Sequence, residues 1–280
     1  MTDRVSYLTA KRQLDDRSID RGLLARLRRE LPTAPSILEV GAGTATMVER
    51  LYEWDVLTAG EWIALDADPS ALAAGRERLL ARDDTTSTPS GLRLGGIDVR
   101  FLTADAADVS TAIDRSFDLV VGCAFFDVVD LGPVLAGLAP CCDLVYAPIT
   151  YAGETSFAPA DPADDVVLGW YRHHMRTHRP GTADGAGGLA EALGQVLAEA
   201  PSDWAIEPPY DPADARLVDH LLDTIDSAVA ETGHDASDWV ARRRRQLALG
   251  QLSYRARNRD ILGRIHGSAT VDSRPADTIR

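Results

Sequence analysis

Three carboxylates stand where three apolar runs give out. Glu39 lies near the end of "SILEV", Asp66 follows "WIAL", and Asp105 follows "VRFLTA". Two residues beyond Glu39, Gly41 and Gly43 open a tight turn in "VGAGTATM". Acids at the ends of parallel strands face the crevice in which open α/β sheets bind ligands. A carboxylate there can attract an ammonium, accept from a vicinal diol, or accept from an exocyclic amine.

The spacing assigns each acid a partner. Glu39, just ahead of the glycines, would repel a pyrophosphate and attract an amino-acid ammonium. Asp66, about 25 residues after Gly41, is placed to take both hydroxyls of a ribose. Asp105 can accept from an adenine amine while the Ala106 N–H meets a ring nitrogen. A Walker phosphate loop is excluded, because it ends in Gly-Lys-Ser/Thr and the chain's single lysine is Lys11. The dinucleotide pattern G-x-G-x-x-G is matched only in its first half, since its sixth position is Thr46. S-adenosylmethionine carries an ammonium, a ribose diol and an adenine, and no phosphate. The expected cofactor-binding set is Glu39, Gly41, Ala42, Gly43, Asp66, Ala67, Asp105, Ala106 and Cys123.

The elements that must position these groups alternate. After a basic helical prelude over roughly 7–30, Pro32 and Pro35 mark a break. "SILEV", "WIALDAD", "VRFLTADA", "FDLVVGCAFF" and "CDLVYAPIT" read as five strands; the fourth is nearly all apolar, as a strand covered on both faces requires. Helices separate them, one opening at Asp68 as N-cap with Pro69 in its first turn. "RDDTTSTPSGLRLGG" reads as a polar loop, "DPADDVVLGWYRHHMRT" as a helix, "RPGTADGAGG" as a flexible loop and "LAEALGQVLAEA" as another helix. "SDWAIEPP" is taken as the sixth strand and "QLSYRARN" as the seventh, with helices over "DPADARLVDHLLDTIDSAVAE" and "DASDWVARRRRQLALG" between them. The expected fold is α/β, a Rossmann-like, mostly parallel sheet with right-handed crossovers, helices on both faces and helical cap insertions. The expected organisation is an arm (1–35), a cofactor core (36–150), a cap and crossover (151–200), a sheet-completing segment (201–266) and a frayed tail (267–280).

"ILEVGAGTATM", "WIALDADP", "VRFLTADA" and "FDLVVGCAFFDVV" together resemble the successive motifs of class I S-adenosylmethionine-dependent methyltransferases. The resemblance covers roughly 36–150, with a weaker echo in the last two strands. It implies a seven-stranded sheet whose last strand is antiparallel. Ala45 stands where the family often has a third glycine.

Methyl transfer needs an acceptor about 3 Å from the methyl carbon and water excluded, with a base only for a protonated acceptor. Asp127, after the fourth strand, is the nearest carboxylate to such an acceptor, or it caps the next helix. His173 and His174 on the cap helix have a pKa range suited to a base, or they form a solvated face. The fourth strand's exit lacks the Asn/Asp-Pro-Pro-Tyr loop of enzymes that act on exocyclic or amide nitrogen. Tyr151 and Phe157 could stack on an acceptor. Lys11 or Arg12 on the prelude helix could meet the methionine carboxylate. The expected function is methylation of a soluble small molecule, at oxygen. The rivals are a nicotinamide-dependent oxidoreductase and a non-catalytic S-adenosylmethionine-binding protein.

Composition narrows the partners. A net charge of −14 over 280 residues argues against nucleic acid and anionic membranes as partners. "RRRR" at 242–245 spreads round a helix rather than forming one patch. Cys123, Cys141 and Cys142 lack zinc-site spacing, so no metal is expected, and they make no disulfide framework. No run approaches ~18 apolar residues and no apolar leader is visible, so the expected location is the cytoplasm.

Overall fold

Val, Ile and Leu pack into short runs because both faces of a parallel sheet are buried, and those runs form its centre. The computed structural model describes residues 3–178, 181 and 183–266. The elements are α1 (Asp3–Ser18), α2 (Arg21–Glu30), β1 (Ser36–Val40), α3 (Thr46–Glu53), β2 (Ala59–Asp66), α4 (Pro69–Leu80), β3 (Thr85–Thr88), β4 (Gly91–Leu94) and β5 (Gly96–Thr103). They continue with α5 (Val109–Ala112), β6 (Leu119–Val121), α6 (Leu131–Leu138), β7 (Leu144–Ala158), α7 (Asp164–His178), α8 (Gly185–Ala192) and β8 (Gln195–Pro201). β9 (Trp204–Ile206), α9 (Pro212–Glu231), α10 (Ser237–Ala248) and β10 (Ser253–Arg264) complete the described elements.

The strands join one sheet in the order β3-β4-β5-β2-β1-β6-β7-β10-β8, with β9 also paired to β10. β5, β2, β1, β6 and β7 are mutually parallel, and β10 runs antiparallel to β7 and β8. The expected seven-stranded sheet with an antiparallel last strand is therefore present, as β5-β2-β1-β6-β7-β10-β8, with short strands added to it. One face carries α1, α2, α3, α4, α7, α9 and α10 around Leu24, Met47, Trp62, Leu217 and Trp239. The other carries α5, α6 and α8 around Val109, Leu138 and Leu189.

Several boundaries differ from the sequence reading. The polar stretch after α4 is a hairpin, β3–β4, whose Thr-rich first strand suits a pleated surface. β7 continues past Thr150 to Ala158, so the first part of the expected cap is strand. The helix expected over 189–200 stops at Ala192, and "QVLAEAP" pairs with β10 as the edge strand β8, which is the true sixth strand. "DWAIE" supplies only the three-residue β9. Gly185–Gly188, expected in a loop, open α8, where Asp184 caps the Gly187 N–H at 2.9 Å. The expected tail at 267–280 and part of the 179–188 loop lie outside the described residues.

The prelude is two helices, broken where Asp20 turns its side chain to cap Leu23 N–H. Arg50 of α3, wholly buried, fastens the first of them. Its guanidinium reaches Asp16 at 2.5 Å, Asp15 at 3.4 Å and the Arg12 carbonyl at 3.1 Å. Asp15 also accepts from Trp204 Nε1 at 3.1 Å and pairs with Lys11 at 3.1 Å. Arg12 turns instead to Glu49 at 2.7 Å. The four arginines of α10 do diverge, but Arg243 is buried rather than solvated. Arg242 and Arg243 hold Asp161, Asp164 and the Pro159 carbonyl ahead of and within α7, while Arg244 holds Asp219 and Asp223 of α9.

Breaking a buried ion pair by deleting one partner costs about 3–5 kcal/mol, and Lys11 would still face Asp15. Arg50→Ala should therefore destabilise the protein by about 3 kcal/mol in urea unfolding. It should also expose the α1 segment to proteolysis ahead of the sheet.

Candidate functional site

The carboxyl ends of β1, β2, β5 and β6 open into a cavity of about 570 Å³. Parallel strands deliver their termini to one edge, so residues far apart in sequence meet there. Gly41 and Gly43 form its floor beside Asp66, Ala67, Asp105, Ala106 and Cys123. Gly41 sits at φ +62°, and a Cβ on it would lie 2.1 Å from the Phe125 ring. Ala45, in the family's third glycine position, adopts φ 53° and donates its N–H to Ala42 O at 2.7 Å.

Asp66 is buried at the end of β2 and organises the turn. Its Oδ2 accepts from Gly43 N–H at 2.7 Å and its Oδ1 from Asp68 N–H at 2.8 Å. A carboxylate has about four acceptor positions, so capacity remains toward the cavity. Asp105 is exposed on the cavity wall, with Oδ1 accepting from Ala107 N–H at 2.9 Å. This set, with two glycines, two acids and no arginine, suits a neutral ribose and adenine better than a phosphate.

Glu39 is placed otherwise than expected. Strand alternation turns it to the α3 face with Ile37, beneath the glycine turn and out of the cavity wall. Trp62 Nε1 donates to it at 2.9 Å, and the Met47 backbone N–H also donates. Burial pushes its carboxyl up to about 8, against the pull of those donors. Ala42 also stays out of the wall and donates its N–H to Leu65 O at 2.9 Å.

Of the candidate catalytic groups, Asp127 lines the cavity and the histidines do not. α7 presents Tyr171 and Met175, one turn apart, to the space, which leaves His173 exposed to solvent. His174 is buried against α9, with Nε2 2.7 Å from Glu231, and stacks on His178. The glycine-rich segment closes directly on Asp127. A Cβ on Gly181 would meet Asp127 O at 2.0 Å, and one on Gly185 would meet Asp127 Cβ at 2.3 Å. Among the described residues, no group of three His, Cys, Asp or Glu could hold a metal ion.

The far half of the wall was largely missed by sequence reasoning. Lys11 and Tyr151 were anticipated, whereas Ile149, Thr155, Trp204, Leu221, Thr224, Tyr254, Ala256 and Asn258 were not. Phe157 packs instead on Trp239 and Tyr254, outside the cavity. Cys123 has its thiol pushed up to about 12 by burial, so it meets the cavity as a neutral group. Burial likewise raises the Tyr151 phenol to about 12, and its hydroxyl pairs with Thr155 Oγ1 at 3.0 Å.

No protein-family model and no curated protein matches this sequence. Solved structures do match it across most of its length. A Bacillus halodurans protein provisionally called a methyltransferase superposes with a TM-score of 0.51 at 12% identity, over 88% of this chain and 99% of its own. The fold is that of the class I S-adenosylmethionine-dependent methyltransferases. An Anaeromyxobacter dehalogenans protein provisionally called a type II methyltransferase gives 0.48 at 18% identity, over 89% of this chain and 98% of its own. A Thiobacillus denitrificans S-adenosylmethionine-dependent methyltransferase, solved with S-adenosyl-L-homocysteine, gives 0.43 at 17%, over 87% and 92%. Within the methyltransferase fold, the cavity occupies the edge where the glycine turn and the strand-end acids meet.

The position of Glu39 has a measurable consequence. Its pKa in the folded protein stands above the ordinary 4.5, so folding holds the proton more tightly. The associated stability is complete below about pH 4.5 and is lost as pH rises toward 8. Glu39→Gln has no proton to lose. Urea unfolding at pH 5 and pH 8 should show wild type losing about 2–4 kcal/mol more than the variant across that interval.

Proposed function

We propose that this protein is an S-adenosylmethionine-dependent methyltransferase acting on a small molecule, at an oxygen. The observation that carries the reading is Asp66: a buried strand-end carboxylate that braces the glycine turn and also borders the cavity. In this reading Asp66 holds the ribose diol, and Asp105 with the Ala106 N–H holds the adenine. Gly41, Gly43 and Cys123 line the methionine end, and Lys11 offers a cation to its carboxylate. Glu39 acts one layer below, keeping the turn in shape through Met47 and Trp62.

When bound, the cofactor supplies a sulfonium methyl that is open to in-line displacement. The chain's own contribution is to position the acceptor and keep water out. α1, α7 and α9 wall the cavity with Lys11, Tyr171, Met175, Leu221 and Thr224, which favours a small acceptor over a macromolecule. Among the described residues no helix is long and apolar enough to cross a membrane. Asp127 is the acid placed to orient an acceptor hydroxyl and take its proton. The exit of β6 reads Phe125-Phe126-Asp127-Val128-Val129, without the Asn/Asp-Pro-Pro-Tyr loop of enzymes that act on exocyclic or amide nitrogen, and this is the support for oxygen.

Calorimetry with S-adenosylhomocysteine should show one site per chain. Asp66→Ala should weaken that binding by about 1.5–3 kcal/mol, the range for a hydrogen bond to a charged group. An affinity unchanged in the variant would remove Asp66 from the ribose site, and no binding at millimolar ligand would end the methyltransferase reading.

A further inference from the structure

The cavity extends beyond the acids into a second half where β7 and β10 run side by side. Alternation along β10 puts Tyr254, Ala256 and Asn258 on this wall, while Arg255, Arg257 and Arg259 face solvent. Asn258 is only 4% exposed. Its backbone is fully engaged, with N–H donating to Asp203 Oδ1 at 3.1 Å and the carbonyl accepting from Ser202 N–H at 3.0 Å. Its side-chain Nδ2 is buried and has no hydrogen-bond partner among the described residues.

A buried donor left unpaired costs about 1–3 kcal/mol, and the large majority of such groups in proteins are paired. β10 pins this one in place, on the wall of a cavity large enough for a ligand. Its surroundings are aromatic: Tyr151 lies opposite it across the β7–β10 ladder, and Tyr254 and Trp204 border the same space. On the same wall the Tyr151 and Thr155 hydroxyls bond to each other at 3.0 Å. Among the described residues every acid in the cavity wall belongs to the other half: Asp66, Asp105 and Asp127. An amine would find no carboxylate lining this half, whereas an oxygen acceptor would find a waiting donor.

We propose that Asn258 selects the methyl acceptor, its buried amide donating to a carbonyl or hydroxyl oxygen on a planar ring held among Tyr151, Tyr254 and Trp204. The inference rests on the methyltransferase reading. It adds the substrate class, a neutral or anionic aromatic compound bearing oxygen, and the residue that recognises it. Rings supply contact area at little entropic cost, and one fixed donor supplies orientation. A site built to hydrogen-bond an oxygen discriminates strongly against analogues that lack it, because the donor is then buried unpaired.

The test uses the full chain saturated with S-adenosylhomocysteine, titrated calorimetrically with acetophenone, toluene and benzylamine. Wild type should bind acetophenone at least about tenfold more tightly than the other two. Asn258→Leu should lose that preference while keeping its affinity for toluene and for S-adenosylhomocysteine. Without ligand the variant should unfold at an equal or higher temperature, because a buried unpaired amide has been replaced by an apolar group. A preference retained in the variant, no preference in wild type, or a clearly lower unfolding temperature would each overturn the inference and leave the cofactor reading standing. If wild type fails to bind S-adenosylhomocysteine, both fall.

Discussion

The carboxylate of Asp260 sits at zero exposure in β10 and accepts three hydrogen bonds, two from β7 and one from the arm. Ile149 N–H of β7 donates at 2.9 Å, Asp20 N–H at the α1–α2 break donates at 2.8 Å, and the Tyr146 hydroxyl donates at 3.2 Å. Burial raises its pKa, and these donors oppose that rise. Ile149 adopts φ +56°, an uncommon conformation for a β-branched residue, at the point where the β7–β10 register shifts. The kink takes its N–H out of the ladder, and Asp260 gives that N–H a partner. Sheet, arm and the far wall of the cavity therefore share one buried acid. Ile149, at the kink, and Tyr151 and Thr155, beyond it on the same strand face, line the cavity.

The cavity is assembled in two halves by different means. The cofactor half is local: four strand ends and the turns after them, within 36–129, supply the glycines and acids. The other half draws on the extremes of the chain, from Lys11 in α1 to Asn258 in β10. The link between them is electrostatic as much as apolar. Asp15 takes Lys11, Arg50 and Trp204 together, so the arm, the helix after the glycine turn and β9 are positioned by one carboxylate.

The cofactor half was legible because its signals are short-range. A glycine turn after a strand, an acid at the next strand's end and a capped helix start all lie within a few residues of their cause. Period-two alternation also governs Glu39, yet its position near the end of β1 was read as facing the crevice; the pleat turns it to the α3 side. "QVLAEA" is made of good helix formers, and its place beside β10 overrode that preference. The hairpin at 85–94 carried a readable sign in its run of threonines, which polarity masked. His173 and His174 were singled out for their chemistry, while helical spacing directs Tyr171 and Met175 inward in their place. Asn258 gave no sign at all: its importance comes from a missing partner, and only the packed neighbours show that.

β10 follows every other described strand in sequence yet lies between β7 and β8, the fifth and sixth strands of the seven-stranded order. Until it is synthesised, β7 offers a long unpaired edge, and such edges invite pairing with other chains. A nascent polypeptide can therefore complete the glycine turn and its acids early, while the ring-lined half waits for β10, made after every other described strand. With that much non-local pairing, closure is slow relative to local structure. A chain lacking residues from 253 onward would keep the cofactor pocket in outline, with an open β7 edge and without the Asn258 amide. Strand order thus ties closure of the β7 edge to completion of the cavity's second half.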